Sequence, residues 1–148
     1  MAESKKKTTD KKVKAETTAV KKYVQAIGRR KEATAIIRLS KDKPQVTING
    51  RTLNDYFPIA SLQNKIFEPY SKANIENKYS ISIKVKGGGL TGQAEAIRLG
   101  ISRALVKLDS TLKPTLKKYK LLTRDSRMVE RKKYGLKKAR KRGQWAKR

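Results

Sequence analysis

Residues 79–108 read YSISIKVKGGGLTGQAEAIRLGISRALVKL, and two periods within that stretch decide the fold. Tyr79, Ile81, Ile83 and Val85 alternate with Ser80, Ser82, Lys84 and Lys86. A period of two puts the apolar side chains on one face of a strand and the lysines on its wet face. Beyond Gly92 the period changes. Ala94, Ile97, Ile101, Ala104, Leu105 and Leu108 fall within an arc of about 100° when wound at 3.6 residues per turn, and Glu95, Arg98, Arg103 and Lys107 lie outside it. A half-buried strand and an amphipathic helix can bury each other, so the stretch predicts a sheet covered by a helix.

Upstream, Ala33, Ala35, Ile37 and Leu39 alternate with Glu32, Thr34, Ile36 and Arg38, which predicts a second strand over Lys31–Leu39. Tyr23–Ile27 is expected as its neighbour, joined through Gly28-Arg29-Arg30, with Gly28 supplying the positive φ of a tight connection. Val46 and Ile48 mark a short strand ended by the turn dipeptide Asn49-Gly50. Leu53, Tyr56 and Phe57 suit one helical turn after Thr52. Ile59, Leu62, Ile66 and Phe67 recur at helical spacing after Pro58, giving a short helix expected to stop near Pro69. Downstream of the long helix, Asp109 or Ser110 can cap a further short one that holds Pro114 in its first turn and turns Leu112, Leu116 and Tyr119 inward. Compact structure should end near Arg124. The expected fold class is therefore α/β (α+β) in two layers over residues 23–126, with a flexible Lys-rich arm at 1–22 and an extended basic tail at 127–148.

Charge carries the functional argument. The 148 residues hold 39 Lys+Arg against 12 Asp+Glu, a net charge of +27, where a soluble domain of this size usually carries a magnitude of about 2–8. Such a surplus implies a polyanionic partner. It is concentrated at the ends: residues 1–22 contain eight Lys and three acids, and residues 127–148 contain eleven Lys+Arg and one acid, Glu130. Fully extended, the tail could span on the order of 70 Å.

The composition also excludes chemistry. There is neither Cys nor His, so no thiol nucleophile, disulfide, thiolate or imidazole ligand is available. Glu32, Glu68, Glu95, Asp109 and Asp125 stand apart and form no catalytic pair, and no metal site or cofactor is expected. Apolar runs such as Ala35-Ile36-Ile37 are broken by charge and never approach the roughly 18–20 residues of a membrane span.

Three motifs remain. Gly87-Gly88-Gly89-Leu90-Thr91-Gly92-Gln93 links a strand to a helix, the setting of a Walker phosphate loop. Gln93 and Ala94, however, stand where the phosphate-binding Lys and the magnesium-binding hydroxyl would be. Both absences argue against nucleotide hydrolysis, and two readings of the loop come ahead of it: a plain tight turn, or a backbone cradle for an RNA phosphate built from Gly87, Gly88, Gly89, Gly92 and Gln93. Arg29, Arg30 and Lys31 place three cations at a turn, as backbone phosphate contacts would require. The last stretch interleaves Arg124, Arg127, Arg131, Lys132, Lys133, Lys137, Lys138, Arg140, Lys141 and Arg142 with Tyr134 and Trp145, whose rings can stack on bases. These residues are the candidate RNA contacts. A free nucleic-acid chaperone would share this charge, and a nucleotide-using enzyme would share the glycine loop.

Taken in order, GRRKEATAIIRL, the Asn-Gly turn, KVKGGGLTGQAEAIRLGISRAL, LLTRDSRMVERKKYGLKKAR and the terminal Lys147-Arg148 resemble the bacterial form of the small-subunit ribosomal protein nine family, over roughly residues 23–148. The resemblance implies a two-layer domain of the kind shared with the second domain of ribosomal protein five, bound to ribosomal RNA in the head of the small subunit beside neighbouring ribosomal proteins. It implies a cytoplasmic ribosomal protein and no enzyme. It further implies that the tail reaches the peptidyl site, where Lys147 and Arg148 would contact transfer RNA. The family commonly ends in Gln, Phe, Ser, Lys, Arg, whereas this chain has Gln144, Trp145, Ala146, Lys147 and Arg148. The aromatic is kept and the hydroxyl is lost.

Overall fold

The computed structural model describes residues 23–75 and 79–147. The expected arm at 1–22 and the terminal Arg148 lie outside the described residues. Five strands form one sheet: β1 (Tyr23–Arg30), β2 (Ala33–Ser40), β3 (Val46–Ile48), β4 (Arg51–Thr52) and β5 (Ser80–Lys86), in the order β1-β2-β5-β3-β4. The helices are α1 (Leu53–Tyr56), α2 (Ala60–Ala73), α3 (Leu90–Leu108) and α4 (Lys113–Lys118), with a 3₁₀ turn at Ser110–Leu112 before the last. The chain is thus a mixed α/β domain, as the two periods predict.

Alternation sets the faces. Ala33, Ala35, Ile37 and Leu39 of β2 are buried, and they pair with inward residues of β1 and β5: Ile37, for example, sits between Ala26 and Ile83. β5 runs antiparallel to β2 and parallel to β3, and a parallel pair needs a long crossover, here supplied by β4, α1 and α2. The Asn49-Gly50 turn holds both residues at positive φ (50° and 80°). The Asn49 side chain extends the ladder by accepting from Val85 N at 2.9 Å and donating to Val85 O at 3.1 Å. α3 covers the inner face, α2 packs against α3, and Leu62, Ile66 and Tyr70 join Ile48, Ile81, Ile97 and Ile101 in one core. Leu116 of α4 closes that core.

Several expectations are corrected. Gly28 lies inside β1, opposite Ala35, and the connection to β2 is Lys31-Glu32, with Lys31 at φ 50°. Gly28 is required by proximity: a Cβ there would stand 1.9 Å from Ala96 O and 2.6 Å from Gly100 N, so the missing side chain lets α3 lie directly on the strand. α2 does not stop near Pro69 but runs to Ala73 and ends at Asn74 in the left-handed region. The lost amide and ring crowding at Pro69 are offset by burial of Ile66, Pro69 and Tyr70. Ile59 is the N-cap of α2 and is exposed. α3 starts at Leu90, earlier than Gly92, and is buried more widely than the expected arc, through Ala96, Leu99, Gly100 and Ser102. Neither Asp109 nor Ser110 makes a side-chain cap bond. Tyr119 turns outward under Lys72 Nζ, which lies 5.1 Å from its ring centroid.

Candidate nucleic-acid interface

The glycine loop owes its shape to the β1–β2 hairpin. Gly87 and Gly88 both have positive φ (77° and 66°), and a Cβ on them would meet Glu32 O at 2.7 Å and Ala33 Cβ at 3.0 Å. Gly89 returns to extended backbone as the N-cap of α3, with no side-chain cap bond. The Gln93 side chain turns inward: its Nε2 donates to Gly87 O at 3.1 Å and its Oε1 accepts from Tyr56 OH at 3.0 Å. Gln93 therefore braces the loop from behind, and Ala94 beside it is buried. The side chains that would serve a transferred phosphate have no counterpart here.

Arg30 sits at the inner edge of β1, opposite Ala33, and its donors are engaged within the chain. Nε donates to Glu95 Oε2 at 2.6 Å, Nη2 lies 3.1 Å from Asp125 Oδ2, and Nη1 donates to the carbonyls of Asp125 (3.2 Å) and Arg127 (2.6 Å). One guanidinium, whose side chain is 13% exposed, thus joins β1, α3 and the start of the tail. Planar geometry and a permanent charge suit Arg to such a junction. Asp125 also accepts from the amide and guanidinium of Arg127. Those hydrogen bonds, with the charges of Arg127 and Arg30, hold its carboxyl well below the usual carboxylate range. Of the three cations at the hairpin, Arg29 and Lys31 face outward and Arg30 serves the fold.

Residues 127–147 contain no helix or strand. Their internal backbone bonds are few: Leu136 N to Lys133 O (3.4 Å), and Lys137 N and Lys138 N to Lys141 O (2.8 and 3.5 Å). Glu130 takes Lys133 at 2.7 Å and Arg140 at 2.8 Å, which pull its carboxyl below the ordinary value. The carboxylate folds the segment into a loop around Gly135, at φ 71°. Among the described residues no Asp or Glu pairs with Arg131, Lys132, Lys137, Lys138, Lys141 or Arg142. Tyr134 is 99% exposed and Trp145 87%. Lys147 and Arg124 are exposed as well.

A groove of about 620 Å³ lies where these parts meet, lined by Lys31, Gly88, Gly89, Thr91, Met128 and Val129 among others. The structure thereby brings Arg30, Lys31, the glycine loop and the first residues of the tail together, and Arg29 lies apart from them on the opposite face of the sheet. Sequence reading missed Glu95 and Asp125 as functional partners. Their signal was their scarcity: an acid retained next to Arg127, in a segment otherwise cationic, marks an internal contact.

A sequence profile described as ribosomal protein S9/S16 matches residues 28–148. The chain is 50% identical over 125 residues to the small ribosomal subunit protein uS9 of Amoebophilus asiaticus, covering 84% of this chain and 98% of that protein. It is 52% identical over 124 residues to the protein of the same name from Thermotoga neapolitana, covering 82% and 92%, respectively. To the one from Cytophaga hutchinsonii it is 52% identical over 123 residues, covering 83% and 96%.

Proposed function

The chain belongs to the ribosomal protein S9/S16 family, and from that premise we propose that its tail carries it through ribosomal RNA to the transfer RNA bound at the peptidyl site. The protein is a non-enzymatic, structural component of the small ribosomal subunit, it binds ribosomal RNA, and it works in the cytoplasmic ribosome. In this proposal the α/β domain, of the kind in the second domain of ribosomal protein five, lies in the subunit head among neighbouring proteins. On this reading residues 23–126 are the platform and 127–148 the reaching segment.

The observation that carries the reading is the junction at Arg30. It fixes where the tail leaves the domain, beside Lys31 and the glycine loop, while the cations beyond Arg127 stay on the outside. Arg29, Lys31 and the backbone of Gly87–Gly92 then meet ribosomal RNA phosphates near the base of the tail. Arg124, Arg127 and the cations from Arg131 to Arg142 follow the RNA outward, and Tyr134 and Trp145 stack on bases. Lys147 and Arg148 meet the anticodon stem-loop, where a guanidinium can fork onto phosphate oxygens.

A chain ending at Ala146 tests the last step. We expect unchanged folding and subunit incorporation, with faster loss of peptidyl-site transfer RNA from purified small subunits. Retention equal to that of the full chain would remove the transfer RNA assignment and leave the ribosomal RNA role standing.

A further inference from the structure

We propose that the face of the sheet opposite α3 is a second RNA-binding surface, which takes the sugar–phosphate backbone of a double-stranded RNA segment. The inference rests on the ribosomal reading above and adds to it a surface that shares only Arg29 with the contacts proposed there.

Strand register defines the face. Outward residues align in rows across the sheet: Gln25, Arg38, Ser82 and Thr47; then Ile27, Ile36 and Lys84; then Arg29, Thr34 and Lys86. Their neighbours along each strand point into the core. Four cations, Arg29, Arg38, Lys84 and Lys86, therefore share one surface, and none of these rows contains a carboxylate. Arg29, Ser82, Lys84 and Lys86 are exposed, and Ile27 is 40% exposed. α3 lies on the other side of the sheet.

Arg38 makes the contrast with Arg30 clear. Arg30 is held by two carboxylates and two carbonyls, whereas Arg38 lies over the Tyr23 ring at 5.1 Å and its Nε, itself buried, has no hydrogen-bond partner among the described residues. A carboxylate-free cationic face repels basic segments and complements a polyanion.

The shape of the face favours a duplex. Sheet platforms that read single strands stack bases on several exposed rings. Here the one ring in reach, Tyr23, already lies under Arg38, and the remaining side chains are Ile, Thr, Ser and Gln. Lys84 and Lys86 are two residues apart on one strand, about 6.7 Å, and Arg29 lies two strands from Lys86, about 9.5 Å. Such a two-dimensional spread of cations on a low surface suits the phosphates and 2′-hydroxyls of an A-form helix, whose minor groove is wide and shallow.

The test uses the full chain carrying Arg29→Gln, Lys84→Gln and Lys86→Gln. A control of equal charge loss carries Lys113→Gln, Lys117→Gln and Lys118→Gln on α4, in the helix layer. Binding to a 20-base-pair RNA duplex and to a 20-nucleotide oligouridine is measured across a salt series, with thermal melts to verify folding. We expect the sheet variant to bind the duplex about tenfold more weakly than the control variant, with its salt slope reduced in magnitude by about 2–3, and the two variants to bind oligouridine alike. Equal weakening on the duplex would mean that net charge alone matters and would overturn the proposal.

A second readout is amine acylation of the unmodified protein, free and within purified small subunits, followed by mass spectrometry. Protection of Lys84 and Lys86 in the subunit, with RNA crosslinked at those positions, supports the site. Labelling equal to that of the free chain, or crosslinks to protein instead, overturns it. Absence of the protein from small subunits would instead defeat the ribosomal reading itself.

Discussion

Arg30 and the arginines of the tail are the same side chain in opposite circumstances. At Arg30 the guanidinium meets Glu95, Asp125 and two carbonyls and is mostly buried, so its charge joins strand, helix and chain. Residues 128–148 set ten cations against one carboxylate, Glu130, and the described ones are exposed to solvent. The folded part keeps Arg98 in check in the same manner, with Glu68 at 2.8 Å across α3 and α2. Among the described residues four carboxylates, Glu68, Glu95, Asp125 and Glu130, each hold a cation, and beyond Glu130 the sequence supplies no further acid. Beyond Leu122 no described side chain is buried, so ordering the tail costs entropy that no internal burial returns, and compact structure ends there.

The strongest way to separate the two regions is to damage one and spare the other. Gly28→Ala places a methyl 1.9 Å from Ala96 O, backbone against backbone, and neither element can move without disturbing the core. We expect a loss of roughly 3 kcal/mol or more, at the upper end of overpacking costs, read as a lower melting temperature. The RNA contacts of the tail in any folded fraction should be unaffected.

That glycine also shows how legible the chain was. The alternation in β2 and β5 and the arc of α3 are direct consequences of which side chains water rejects, so residues such as Ile37, Ile83 and Ile101 announce their places. Gly28 announces only that a Cβ is unwelcome; a turn needing positive φ and a strand lying under a helix make the same demand. Pro69 was misleading for a related reason. Its local penalty is visible in the sequence, while the burial of Ile66 and Tyr70 that offsets it depends on α3, thirty residues away in the chain. At the interface, the cations were legible as a class and their division of labour was not. Arg29, Arg30 and Lys31 look alike in sequence, and only strand register assigns Arg30 to the helix side. Gln93 was read with the glycines by proximity, yet its amide faces Tyr56 and Gly87.

A smaller effect is expected at the junction. Arg30→Ala removes the shared donor but leaves Glu95 and Asp125 partly open to water, so the cost should be about 2 kcal/mol, below that of breaking a fully buried pair. Proteolysis should then cut earlier, near Arg124 and Arg127, because the start of the tail is released. The pH response has a definite sign. The folded-state pKa of Asp125 is depressed, so its contribution is complete above the ordinary carboxylate value of about 4 and is lost only as pH falls through the lowered one. Protection near Arg127 should therefore persist at pH 4 in the unmodified chain. Early cleavage at pH 4 comparable to that of Arg30→Ala at pH 7 would contradict the tether.

Amide hydrogen exchange on the free protein and on the same protein within small subunits tests the central claim most directly. The ladders of β1, β2 and β5 and the body of α3 should exchange slowly in both, since their bonds are internal. Residues 128–147, with only three backbone bonds among themselves, should exchange rapidly when the protein is free and become protected only in the subunit. Slow exchange across that segment in the free protein would show that it holds its own shape, and the account of a tail ordered by RNA would be wrong.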